Sequence, residues 1–337
     1  MSSHFEFVPD TENMTLMKKT DQAFNTYLSA RKAFQEMEFS HARELSSEYR
    51  NTIDYDSFSK TDSRLEEPVS VSVVIVAFGG RKGVIECLDS LASQKDDDFE
   101  IILVDNGNNE NIHQQLTNYP MLHVFSPINF HWTEGRNVGS HFARGKYLVF
   151  IDDDGLICQD YISSVKAAWN HFDFLAIRGR IKPKTTSSNL SVAGHYDYGD
   201  YPMPSILMAE GNMAIKADVF KAVGGFDPLI LGGEGLELTH RLFKTFPGRD
   251  IYYWPGMLMY HDFVKGRNML EKKKRHAITS SYFEYIAPEI NALQLSYSNW
   301  YKSRPGESVT YDQRSFYEKL FAKIQEKSVK LINQVLR

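Results

Sequence analysis

Between residues 69 and 171 two hydrophobic periods alternate along the chain. Residues 69–77 form an almost unbroken β-branched run, the pattern of a strand buried on both faces. Apolar positions recur at helical spacing over 84–93, a strand-like run covers 100–105, a short helix is expected over 110–118, and a third strand over 122–125. The cycle repeats with a helix over 134–144, a strand over 147–151 and a helix over 160–171. Gly135 and Gly139 would let the 134–144 helix approach a neighbouring backbone closely. This alternation predicts an α/β fold with right-handed crossovers and one mostly parallel sheet flanked by helices. In that build Phe78, Asp105 and the acids at 152–154 emerge along one edge.

The pattern loosens on either side. Residues 174–178 read as a strand, and 182–201 as a polar loop carrying Tyr196, Tyr198 and Tyr201. Residues 210–215 lead into a helix that stops at Gly224 and Gly225, and another helix opens near Glu234 and runs through Lys244. Short strands are expected over 251–254 and 257–260, the second closed by His261 and Asp262. Helical spacing over 20–49 predicts one or two amphipathic helices, followed by a polar linker over 51–67. Three domains follow: a helical extension and linker over 1–67, an α/β domain over 68–266, and a basic helical extension over 267–337. Within the last, residues 315–336 place apolar side chains on one face of a helix.

Charge sharpens this division. The chain of 337 residues has a formal net charge of -5, which argues against wholesale nucleic-acid binding. Residues 265–337 nevertheless carry 14 Lys and Arg against 7 Asp and Glu. That basic end suits an anionic membrane surface or a partner protein, with packing on its own domain as the plain alternative. No apolar run reaches membrane-spanning length, and no signal-peptide pattern opens the chain. Cys87 and Cys158 are too few for a disulfide framework and are expected to be inert buried thiols, consistent with a cytoplasmic location.

The chemistry concentrates where the run 147–151 stops in Asp152, Asp153, Asp154 and Gly155. Three adjacent carboxylates repel unless solvent or a cation balances them. A solvated acidic turn is the plain reading. At the carboxyl end of a buried strand, oxygen ligands instead suit Mg²⁺ or Mn²⁺ and a phosphate-bearing substrate.

Six motifs in order then resemble the inverting family 2 glycosyltransferases of the GT-A fold, over about 190 residues from Val69 to Asp262. They are Val73 to Phe78, Ile102 to Gly107, Gly135-Arg136-Asn137-Val138-Gly139, Phe150 to Asp154, Val223 to Asp227, and Gly233 to Leu242. The resemblance implies transfer of a sugar from a nucleotide donor, UDP by the family's habit, to a glycan, lipid-linked or protein acceptor. Bacterial surface polysaccharide synthesis is a fitting context, and a homo-oligomer is compatible with it. By position, Ala77 and Phe78 would border the base, Asp105 would bond the base or ribose, and Arg136 and Asn137 would help hold the nucleotide. Asp152 and Asp154 match the Asp-x-Asp acids, with Asp153 between them on the donor side. Asp154 and Asp152 would meet the cation together with His261. Tyr196, Tyr198, Tyr201 and Trp254 are candidates for stacking on sugar rings, with packing as the alternative, and His131 and Trp132 have no assigned role.

The motif departs from the family where relatives supply the general base, because the usual aspartate of Gly-Glu-Asp is Gly235. Three readings stay open: Glu234 as base, Glu237 one turn along as base, or loss of transfer with donor binding kept. The last would make the chain a scaffold. Gly79-Gly80-Arg81-Lys82-Gly83 also admits a sugar nucleotidyltransferase, although the late motifs have no role in one.

Overall fold

The computed structural model describes residues 11–78, 82–106, 116–184, 194–262 and 267–302. These divide into two compact units, one up to Phe58 and one from Ser59 onward. Outside the described residues lie the amphipathic stretch 315–336, most of the helix expected over 110–118, and Gly79 and Gly80 of the glycine-rich turn.

The first unit is a pair of packed helices, α1 (Thr11–Gln35) and α2 (Phe39–Thr52). Aromatic side chains at helical spacing seal it, with the Tyr27 and Tyr49 rings 5.1 Å apart and those of Phe34 and Phe39 5.7 Å apart. Met37 turns the chain between them at a φ of 61°.

Among the described residues the second unit is built on a ten-stranded sheet whose main path runs β1-β4-β3-β2-β5-β9-β7-β10-β6, the last being the two-residue strand Leu156–Ile157. At its centre β4 (Leu122–Ser126), β3 (Phe99–Asn106), β2 (Val71–Ala77) and β5 (Tyr147–Asp152) are parallel neighbours. Part of the polar stretch expected as linker is instead a strand: β1 (Ser59–Asp62) pairs antiparallel with β4 at the edge. Its fully exposed pattern, Ser-Lys-Thr-Asp, carries no hydrophobic signature to reveal it. The two short strands expected near 251–260 are one bulged strand, β10 (Ile251–His261), whose register to β7 (Ala176–Pro183) shifts between Trp254 and Leu258.

Helices α3 (Lys82–Ala92), α4 (His131–His141) and α5 (Tyr161–His171) cover the sheet. A side chain on Gly135 would place its Cβ 2.6 Å from Val76, and one on Gly139 would press still closer on Val74. These two glycines therefore seat α4 directly on β2, as their spacing predicts. A buried polar cluster ties the other end of the sheet. Glu100 accepts bonds from Ser72 Oγ (2.6 Å), Arg64 Nη1 (2.8 Å), Arg144 Nε (2.7 Å) and the Arg144 N–H (2.7 Å).

After β9 (Asn212–Lys216) come α6 (Ala217–Ala222) and α7 (Glu234–Thr245). The basic extension begins with α8 (Arg267–Ile286) and α9 (Glu289–Lys302). The first of these packs on its own domain. Tyr282 donates to Asp227 Oδ2 at 2.9 Å, and Arg275 lies over the Trp132 ring at 5.6 Å. No described helix is long and apolar enough to cross a membrane.

Candidate active site

The strand registers bring the expected residues to one edge. Ala77 at the end of β2 stands opposite Asp105 of β3, and Val76 stands opposite Asp152 of β5. Because β9 runs antiparallel to β5, its amino end lies on this same edge, with Asn212 opposite Ile151. The Asp152 N–H donates to Gly211 O at 3.1 Å, and a Cβ at 211 would run into the Asp152 carboxylate as it is placed here.

Arg136, projecting from the second turn of α4, is the hub. Its guanidinium donates from Nη2 to Asp152 Oδ1 at 2.9 Å and from Nη1 to Glu234 Oε1 at 3.0 Å, with Arg136 and Glu234 both buried. Glu234 is held from its other oxygen by the Gly232 N–H at 2.9 Å. Gly232 and Gly233 carry φ values of 106° and 86°, which let the chain fold back to make that bond ahead of α7.

On the far side of Asp152, His261 Nε2 lies 2.9 Å from Asp154 Oδ1 and 3.4 Å from Asp152 Oδ2. Burial opposes the imidazolium, but the bonds to Asp152 and Asp154 outweigh it and raise His261 to about 10. Burial likewise opposes charge on Asp152, and His261 and Arg136 overcome it, holding this carboxyl well below the usual carboxylate range. The edge is thus a chain of alternating charge: Asp154, His261, Asp152, Arg136, Glu234.

A third glutamate, absent from the sequence expectations, completes it. Glu210, two residues before β9, accepts the Gly235 N–H at 2.7 Å through Oε1. Burial and the nearby Glu234 charge push Glu210 up to about 7.

The other expected residues divide. Ala77 is buried at the edge and Phe78 beyond it is 45% exposed. Asp105 is buried beside His123, whose Nε2 is 3.8 Å from Oδ2. Asn137 is engaged elsewhere: its amide accepts from Phe226 N and donates to Phe226 O, both at 2.9 Å, clamping the glycine turn before Asp227. Asp153 is buried beside the start of α3, where its main chain faces Gly83. Glu237 is paired along α7, with Arg241 donating to both its oxygens at 2.5 and 2.6 Å. Tyr198 belongs to an aromatic cluster with Tyr253 and Tyr301, Trp254 packs edge-on to Phe172, and Tyr201 is exposed. Cys87 is buried with its thiol pushed far up by burial, while Cys158 is only partly covered.

Two carboxylates and an imidazole are chemically suited to a hard or borderline divalent cation, and here they meet at one point of the edge. In this arrangement they are closed onto one another as an ion-paired trio. Among the described residues no group of three or more His, Cys, Asp or Glu side chains is arranged to hold a metal ion.

The chain is similar to known proteins. Residues 72–216 match the model of Glycosyl transferase family 2. An uncharacterised glycosyltransferase of Haemophilus influenzae is 31% identical over 192 residues, covering 52% of this chain and 62% of its own length. The chain therefore spans less than two thirds of that relative. Among solved structures, S. aureus TarS 1–349 in complex with UDP-GlcNAc aligns with a TM-score of 0.52 at 15% identity, over 64% of this chain and 66% of that one. The mannosyltransferase PcManGT of Pyrobaculum calidifontis, in complex with GDP-Man and Mn²⁺, aligns with a TM-score of 0.51 at 13% identity, over 86% and 82%. Both share the fold.

Proposed function

We propose that the chain, whose residues 72–216 match the Glycosyl transferase family 2 model, is a metal-dependent inverting glycosyltransferase using a nucleotide sugar, UDP-linked by preference, and a hydroxyl acceptor. The observation that carries this is the meeting of Asp152, Asp154 and His261 on the edge where Ala77 and Asp105 also end. Structural relatives solved with UDP-GlcNAc, or with GDP-Man and Mn²⁺, support a nucleotide-sugar donor and a divalent cation.

In this reading Ala77, Phe78 and Asp105 receive the nucleoside, and Asp154, Asp152 and His261 hold Mn²⁺ or Mg²⁺ near the diphosphate. The bound cation supplies Lewis-acid neutralisation of the charge that grows on the leaving diphosphate. Arg136 fixes the Asp152 carboxylate on one side and Glu234 on the other, so the acids keep their places before the donor arrives. Asn137 acts indirectly, by clamping the turn that leads to α7. Asp153 is a structural neighbour of α3 rather than a donor contact. Glu237 holds Arg241, whose Nη1 also reaches Val223 O, and so braces the same turn.

Gly235, standing where the family carries its base, favours a second reading in which the domain binds donor without turnover. Incubation with UDP-, GDP- and CMP-sugars in Mn²⁺, followed by calorimetry and by NMR of released sugar, separates the two. Binding with slow release of sugar of inverted anomeric configuration supports the transferase. Binding without release supports the scaffold, and no binding refutes both.

A further inference from the structure

The space at Gly235 is not empty. A Cβ built there would lie 2.5 Å from Glu210 Oε1 and 2.9 Å from Glu210 Cγ, with Leu207 O at 2.7 Å on another side. The region beside residue 235 is therefore already filled by a carboxylate, delivered from the loop before β9. The Gly235 N–H anchors that carboxylate at 2.7 Å. Any larger residue at 235 would collide with both the carboxylate and the Leu207 carbonyl, so Gly235 and Glu210 form one steric unit.

We propose that Glu210 is the general base of the transfer, taking over from a neighbouring element the carboxylate that Gly235 cannot supply. The assignment rests on the transferase reading above. Its geometry is specific. Gly211, the next residue, is packed on the Asp152 carboxylate, so Glu210 stands between the Asp-x-Asp edge and the start of α7. Glu234 and Glu237 are committed to Arg136 and Arg241, whereas Glu210 makes no side-chain ion pair among the described residues. It keeps partial exposure at the edge. The combined effect of burial and Glu234 gives it a proton affinity suited to general-base work near neutral pH.

The step balances with the groups named. The acceptor hydroxyl oxygen forms a bond to the anomeric carbon while the bond from that carbon to the diphosphate oxygen breaks. The bonding pair leaves with the nucleoside diphosphate, and the hydroxyl proton passes to the Glu210 carboxylate. Water can replace the acceptor, which gives nucleotide release without an added acceptor.

The test uses the full chain with UDP-GlcNAc and Mn²⁺, or whichever donor of the panel binds most tightly. Donor affinity is measured by calorimetry and nucleotide release by a coupled assay, with water and then simple alkyl glycosides as acceptor. Glu210→Gln is nearly isosteric and its amide oxygen can still accept the Gly235 N–H. It is expected to bind donor within about threefold of wild type and to lose about 10²- to 10⁴-fold in release. Glu210→Asp should recover part of the loss, and thermal unfolding confirms that both variants fold. Release by Glu210→Gln within tenfold of wild type would overturn the assignment. So would a wild type that binds donor yet releases nothing to water or glycoside. Absence of donor binding in the wild type would instead refute the transferase reading itself.

Discussion

Replacing Arg136 should damage the protein out of proportion to one side chain. Its guanidinium is 5% exposed and bridges two carboxylates, Asp152 at 2.9 Å and Glu234 at 3.0 Å. In Arg136→Ala the Glu234 carboxylate, 4% exposed, keeps only the Gly232 N–H. Breaking a buried ion pair by removing one partner costs about 3–5 kcal/mol, since the remaining charge stays buried. Asp152 is 37% exposed and retains His261, so water and the imidazolium screen its loss and it adds little to that figure. Arg136→Lys keeps the charge but cannot reach both acids with a planar fork, and should cost about half as much. Urea unfolding at pH 7 measures both, read from midpoints at constant slope. A loss below about 1 kcal/mol in Arg136→Ala would show that Glu234 is not held as described and would remove the hub from the account.

Further expectations concern stability and pH. Glu210 has a folded pKa raised to about 7, so its contribution is fully present below the usual glutamate range and is lost as pH rises through 7. Glu210→Gln should therefore be more stable than wild type at pH 8, by up to about 2 kcal/mol after allowance for solvent, and should match wild type at pH 4.5. A variant no more stable than wild type at pH 8 would contradict the raised pKa. His261, raised to about 10, stabilises the metal-free protein fully below its ordinary pKa and loses that contribution as pH climbs through 10. His261→Gln should flatten the alkaline limb of a melting-temperature profile recorded in chelator, and an unchanged limb would refute the ion-paired trio. Glu100→Ala removes a buried carboxylate with its four hydrogen bonds, while Arg64 keeps Asp62 and Arg144, 37% exposed, keeps Leu65 O. It should cost about 1–3 kcal/mol in urea unfolding, mostly from Ser72 and the Arg144 N–H losing their acceptor, with little change in donor affinity.

Much of the edge was legible before any coordinates, because parallel strands announce themselves. The β-branched runs ending at Ala77, Asp105 and Asp152 set the register that joins them. Gly135 and Gly139 likewise declared a helix lying close on a strand. What escaped had weaker signatures. Glu210 precedes an antiparallel strand, so it reaches the edge from an amino end, where a rule about carboxyl ends does not look. Asn137 and Glu237 carry the right residue types at the right spacing. Their side chains are nonetheless drawn to Phe226 and Arg241, choices made by tertiary neighbours across the turn and along α7. The exposed edge strand β1 has no apolar face to read.

The most direct test of the transferase reading is calorimetric titration of UDP-GlcNAc and its UDP-, GDP- and CMP-linked counterparts into wild type and Asp154→Ala, with Mn²⁺ and with chelator. The account predicts Mn²⁺-dependent binding of one donor to wild type, weakened at least tenfold in chelator and in the variant. Donor binding that is indifferent to both Mn²⁺ and Asp154 would contradict it.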